Sequence, residues 1–142
     1  MDMKNSEFFK ELLAMFKMES TEHIQSIEAG LAGMNDLPSP QRYAEIAESV
    51  HRAAHSLKGA ARTIGLSDVE PMCQSLETFF SILKRQRVQL PPDLKELLHR
   101  AVQGLKILLE SVNAEGKTTA DRTELMRTID EINNRIPELS KQ

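Results

Sequence analysis

Tryptophan is absent from the 142 residues, and tyrosine and cysteine each occur once. So few aromatic residues, and almost no alternating or β-branched runs, leave little from which to build strands. The lone Cys73 cannot close an internal disulfide, which removes the stapled secreted scaffolds from consideration; it falls on an apolar helical stripe and reads as a core thiol. No run reaches about 18 consecutive apolar residues, the length that a membrane-crossing helix needs. Met1 to Lys17 interleaves acids and lysines with its apolar positions and lacks the continuous hydrophobic segment of a signal peptide. A formal net charge of −3, with both signs mixed along the chain and no long basic run, excludes binding along a nucleic-acid phosphate backbone. The expectation is a soluble, cytoplasmic protein that contacts neither membrane nor nucleic acid, and whose electrostatic recognition is local.

What the chain does contain is leucine, methionine, alanine, glutamate and lysine in abundance, with prolines mostly between periodic segments. Apolar residues recur every three or four positions in five stretches, which predicts helices over roughly 5–34, 40–64, 67–87, 92–113 and 120–136. On the first, the stripe is read as Phe8, Leu12, Met15 or Phe16, Ile24, Ile27 and Leu31, with Asn5 or Ser6 as cap. Tyr43, Ala47, Val50, Ala54, Leu57, Ala61 and Ile64 line the second, and Gly65 ends it as a C-terminal glycine. Ser67-Asp68-Val69-Glu70 has the capping-box pattern for the third. Gly116-Lys117-Thr118 ends like a phosphate-binding loop, but Ser111 stands where that loop needs glycine and no strand precedes it, so the motif is rejected. Short connections make successive helices antiparallel neighbours. The fold class is therefore all-α: one domain over 1–142, an antiparallel up-and-down four-helix bundle with an additional C-terminal helix.

The second helix carries the chemistry. At about 100° per residue, Glu48, His51, Arg52, His55, Lys58, Gly59 and Arg62 cluster on the face opposite the apolar stripe. His55 is central to that face. Gly59 is anomalous, because glycine within a helix costs about 1 kcal/mol relative to alanine. Either its missing side chain clears an approach to the imidazole, or a second helix packs closely against it; spacing alone supports both. Across the turn at Gly65, Glu77 on the third helix is level with His55.

A neutral imidazole is a nucleophile, and a carboxylate on its inner nitrogen fixes the tautomer while leaving the outer nitrogen free. Lys58 and Arg62 add positive charge beside a phosphoryl group carried there. No elbow serine, metal-carboxylate cluster or nucleotide loop accompanies them, which suits a group that receives and hands on a phosphoryl rather than an ATP-dependent enzyme. His51 and His55 at i and i+4, near Glu48, also have the spacing of two metal ligands. On spacing alone, phosphoryl relay, metal binding and a merely solvated histidine face all stand.

The string Arg52-Ala-Ala-His55-Ser-Leu-Lys58-Gly59-Ala-Ala, followed by Gly65, resembles the phosphoacceptor motif of histidine phosphotransfer (HPt) domains, especially the N-terminal domain of CheA-type chemotaxis histidine kinases. The likeness runs from Phe8-Phe9 to about Val112, and the last helix matches the extra one of that subfamily. The resemblance implies that His55 is phosphorylated, that Lys58 and Gly59 shape its surroundings, and that Glu77 orients the imidazole. It further implies a phosphocarrier that is not itself an enzyme, a histidine-kinase catalytic domain as donor, and an aspartate of a response-regulator receiver domain as acceptor. Arg52, Lys58, Arg62 and His51 would form a basic docking rim for the acidic receiver pocket. No cofactor is expected on this chain; ATP and Mg²⁺ belong to the kinase and receiver. One departure is Gln74, where such kinases often carry a second histidine. The rival reading is a non-catalytic helical interaction module, metal-binding through His51 and His55.

Overall fold

A computed structural model describes residues 7–35, 39–86 and 90–140, and all regular structure among them is helical. Five helices follow in order: α1 (Glu7–Met34), α2 (Pro40–Thr63), α3 (Glu70–Gln86), α4 (Pro92–Glu110) and α5 (Thr123–Ser140). The first four form the antiparallel bundle. α5 packs on both α4 and α3 and so covers that side of it. The caps proposed at Asn5 and Ser6 lie outside the described residues.

Along α1 the buried positions are Phe9, Leu13, Phe16, Ser20, Ile24, Ile27, Leu31 and Met34. The apolar stripe expected at Phe8, Leu12 and Met15 is therefore out of phase by one residue in the N-terminal half: Phe8 and Met15 are exposed and Leu12 only packs at the margin. Three adjacent pairs, Phe8-Phe9, Leu12-Leu13 and Met15-Phe16, satisfy a three-to-four spacing in either phase. Ile24, Ile27 and Leu31, extended backwards, select the second member of each, and Ser20 completes that stripe by donating its hydroxyl to the Lys17 carbonyl.

α2 starts where Ser39 caps it, its hydroxyl accepting from the Arg42 N–H at 3.2 Å. It ends in a glycine cap: Gly65 has φ +81°, and the Leu66 N–H reaches back to the Ala61 carbonyl at 2.9 Å. Fully buried Ala47, Ala54 and Ala61 let α2 lie close to its neighbours. The tightest approach is at Gly30 of α1, where an added methyl carbon would stand 2.3 Å from Val50 Cγ2.

α3 begins at Glu70, three residues later than the Ser67 start read from the capping-box pattern. Ser67 to Val69 form a turn, and the Glu70 carboxylate that would complete the box is taken by Arg62, 2.5 Å away across the helix pair. α4 ends at Glu110 instead of 113, because Asn113 turns the chain: its side-chain oxygen accepts from the N–H of Glu115 and of Lys117. In the Gly-Lys-Thr segment Gly116 sits at φ +75° and Thr118 donates to Asp68, so this loop ties the α4–α5 connection to the α2–α3 turn. α5 starts at Thr123, where Asp121 accepts from the backbone N–H and the hydroxyl of that residue. It runs through Pro137 to Ser140, beyond the expected stop at 136. Proline costs that turn a hydrogen bond, but Leu139 is buried and Arg135 pairs with Asp93 and Glu138, which hold the last turn in place.

Candidate functional site

Polar pairs across the α2–α3 groove follow a single register. Arg62 meets Glu70, Lys58 meets Gln74, His55 meets Glu77 and Glu48 meets Lys84, each pair placed symmetrically about Leu66. On α3, Glu70, Glu77 and Lys84 recur at seven-residue intervals, two helical turns apart, so they share one edge. A short glycine turn between two straight antiparallel helices fixes this register, and it brings a carboxylate to the imidazole.

His55 is held at one end and open at the other. Its Nδ1 lies 2.8 Å from Glu77 Oε1. An ionised carboxylate only accepts, so the Nδ1 proton points at Glu77, and in the neutral ring the lone pair is left on Nε2, at the open end. The imidazole side chain is 64% exposed, whereas those of Glu77 and Lys58 are each 14% exposed. Desolvation is the largest single influence on Glu77 and raises its pKa, but the hydrogen bonds from Lys58 and His55 and their charges together outweigh it. The net effect holds the carboxyl below its ordinary range, ionised at neutral pH.

Lys58 does not stand on the outward basic rim expected from the helical face. Its ammonium turns inward, 2.7 Å from Glu77 Oε2 and 2.9 Å from Gln74 Oε1. A helical projection gives the direction of Cβ; the last atoms of a lysine reach several ångströms further and follow the nearest carboxylate. Arg52 and Arg62 do face solvent, and each is already paired, with Glu48 at 2.9 Å and Glu70 at 2.5 Å. Glu48 also meets Lys84 at 2.7 Å, and hydrogen bonds from Lys84 and then Arg52 bring its carboxyl down to about 2. The rim is thus a set of ion pairs, with fewer free cations than the sequence suggests. His51, one turn before His55, is half-buried. Gln74 and Thr78 complete the network through a 3.1 Å hydrogen bond from Gln74 Nε2 to Thr78 Oγ1. Sequence reading did not include Thr78; its signal is the i, i+3, i+4 spacing of Gln74, Glu77 and Thr78 along one edge of α3.

A methyl carbon built on Gly59 has no neighbour within 4 Å. This rules out the close helix packing that spacing had left open. Of Gly30 and Gly59, only Gly30 is pressed by a neighbour. Gly59→Ala should raise stability by about 1 kcal/mol, or about 4 °C in Tm. Gly30→Ala should lower the Tm, since overpacking a filled contact costs about 1–3 kcal/mol. Thermal unfolding of the two variants beside the wild type checks both signs.

Among the described residues no three His, Cys, Asp or Glu side chains converge as metal ligands, so His51 and His55 gain no further donor. Cys73 is buried in the core, and burial pushes its thiol to about 12. No helix among the described residues is long and apolar enough to cross a membrane.

A family model described as the Hpt domain matches residues 11–134. The chain belongs to the Hpt domain family. Curated relatives of this Hpt domain include the chemotaxis protein CheA of Bacillus subtilis, 25% identical over 118 residues, and that of Cereibacter sphaeroides, 28% identical over 117 residues. These alignments cover 83% and 82% of the chain but only 17% of each relative, so the domain spans about a sixth of their length. Among solved structures, the phosphorylated P1 domain of CheA3 in complex with CheY6 from R. sphaeroides has a TM-score of 0.78, at 23% identity, and covers 92% of this chain and 99% of that one. The five-helix architecture is thus that of a P1-type Hpt bundle.

Proposed function

We propose that this Hpt domain is a phosphoryl carrier in a chemotaxis-type two-component relay. A histidine-kinase catalytic domain supplies ATP, and the Nε2 lone pair of His55 attacks the γ-phosphorus. The bond to the ADP oxygen breaks as the N–P bond forms, and ADP leaves with the electron pair. The ring, with Nδ1 still protonated, gains positive charge, which Glu77 Oε1 stabilises across 2.8 Å. In the second step a carboxylate oxygen of a receiver aspartate attacks the phosphorus and the N–P electrons return to Nε2, so no proton has to move at the carrier. The chain's own residues hold, orient and expose the nucleophile; ATP and Mg²⁺ act on the kinase and receiver, and we place the domain in the cytoplasm with them.

The observation that carries this reading is the imidazole itself, 64% exposed and fixed through Nδ1 alone among the described side chains. A related fold is known phosphorylated and bound to CheY6, which supports the same pairing of carrier and receiver. The test is transfer: the domain, labelled by a kinase catalytic domain and freed of ATP, should lose its phosphoryl to a receiver protein when Mg²⁺ is added. Phosphate that stays on the domain with every receiver tried overturns the relay.

A further inference from the structure

Helix α1 is apolar on two flanks, and the core covers only one of them. Phe9, Leu13 and Phe16 are buried, whereas Phe8 and Met15 beside them are 62% and 52% exposed, Met18 is 61% exposed and Leu12 is half-buried. A single exposed apolar side chain is ordinary, but these four recur at steps of three and four residues and form a continuous strip. The doubled apolar pairs of α1 thus build a second face as well as the core.

This second face continues the one that α2 covers. Gly30 and Gly33, the glycines of α1 that lie against Val50 and Ile46 of α2, stand 18 residues after Leu12 and Met15. At 3.6 residues per turn that is five whole turns, so Leu12 points as Gly30 does and Met15 as Gly33 does. Counted back from those contacts along two antiparallel helices, Phe16 is level with Ile64, and α2 has already ended at Thr63. A flank that packs a helix in the second half of α1 therefore runs on, apolar and exposed, past the end of that helix.

Its charge is of one sign. At about 100° per residue, Glu11, Glu19 and Glu22 fall with the four apolar residues inside about 120° of arc, and both lysines of α1 fall on the far side. Lys10 pairs there with Glu7, and Lys17 lines a cleft against α4. Among the described residues no ion pair engages Glu11, Glu19 or Glu22. We propose that this flank of α1 docks a basic amphipathic helix of a partner protein. A strip one helix wide is filled by a helix laid alongside, as α2 fills it further on, and the free carboxylates call for lysine or arginine at the edges of that helix. Methionine suits such a surface, because its unbranched side chain adapts to what it meets. A receiver's acidic pocket has the wrong charge for it, so the contact is separate from the docking proposed at Arg52 and Arg62. A second copy of the chain is disfavoured in the same way, since a two-fold contact opposes one set of glutamates with the other.

The probe is a synthetic helical peptide of about 20 residues, with leucines at i, i+3, i+4 and i+7 on one side and lysines on the other. Added to the ¹⁵N-labelled domain, it should shift the amide signals of Phe8 to Glu19 and leave those of His55 and Glu77 in place. A peptide with glutamate for lysine should bind at least about 10-fold more weakly. Phe8→Asp/Met15→Asp should lose at least about 10-fold in affinity for the lysine peptide. Glu11→Lys/Glu22→Lys should lose affinity and most of the salt dependence together. All four of these side chains are exposed, so the helical circular dichroism of both variants should match the wild type. His55→Gln should bind the peptide as tightly as the wild type does, which keeps this result independent of the carrier reading. Absence of binding, equal binding of the two peptides, binding that survives Phe8→Asp/Met15→Asp, or shifts elsewhere on the domain overturns the proposal. Shifts of the same residues with protein concentration alone, matched by a dimer in sedimentation, make the occupant a second copy and also overturn it.

Discussion

His55→Gln should abolish phosphorylation of this Hpt domain by a kinase and ATP, a fall of at least about 10³-fold, while leaving the fold as it is. A glutamine amide has nearly the length of the imidazole and can still donate to Glu77, but its nitrogen lone pair is delocalised and is no nucleophile. The side chain is 64% exposed, so stability should change by no more than about 0.5 kcal/mol. The label on the wild type should resist base and be lost in acid, as expected for phosphate on nitrogen. His51, His23 and His99 remain in the variant as internal controls. Unchanged labelling of His55→Gln removes His55 as the acceptor.

The site was legible in the sequence to the extent that it depends on backbone register. Gly65 marks the turn, and two uninterrupted antiparallel helices then bring residues about equidistant from it together; Glu77 follows from His55 by counting. What counting cannot supply is competition between side chains for one partner. Glu70 fits a capping box, yet it has a stronger option in Arg62, so the first turn of α3 is forfeited and the helix begins at Glu70. Lys58 points outward on a helical projection, but Glu77 and Gln74 draw its ammonium in. The two readings of Gly59 were separable only by what stands opposite, and the packing glycine proved to be Gly30, pressed against Val50. In α1 the doubled apolar pairs hid the phase of the buried stripe, although Ser20 and the unambiguous Ile24, Ile27 and Leu31 already contained it. Such misreadings arise where one group has two physically acceptable partners, and the rest of the fold decides between them.

In the proposed relay the α2–α3 ion pairs would also bear on how a receiver docks. Arg52 and Arg62 flank His55 and each holds its own carboxylate at 2.9 Å and 2.5 Å. Pairs with the arginine this exposed contribute only about 0–1 kcal/mol, so in the proposed relay exchange of Glu48 or Glu70 for an acidic group on a receiver would cost little. On that reading the domain would present cations to a receiver without carrying excess positive charge when alone, in keeping with its net charge of −3.

Glu77→Ala should slow phosphorylation about 10–100-fold, by analogy with the loss when the partner orienting a metal-bound imidazole is removed, and should also lower stability. Two effects must be separated. Without Glu77 the neutral imidazole exchanges between tautomers, and in one of them the outward Nε2 carries the proton and cannot attack. At the same time Lys58, only 14% exposed, loses its counter-charge, which costs about 1–3 kcal/mol. The double variant Glu77→Ala/Lys58→Met removes the stranded ammonium, so it should regain most of the stability while its phosphorylation stays slow; recovery of both together makes Glu77 a purely structural residue. The pH dependence has a definite sign. Because Glu77 titrates below the ordinary carboxylate value of 4.5, its stabilising contribution is fully present above that value and is lost as pH falls through its lowered range. A protonated Glu77 resembles glutamine, so the difference in unfolding free energy between wild type and Glu77→Gln should be constant at neutral pH and shrink as the solution is acidified below 4.5. A gap that instead widens in acid would mean that the carboxylate is not held by Lys58 and His55, and the orientation of the nucleophile would need another source.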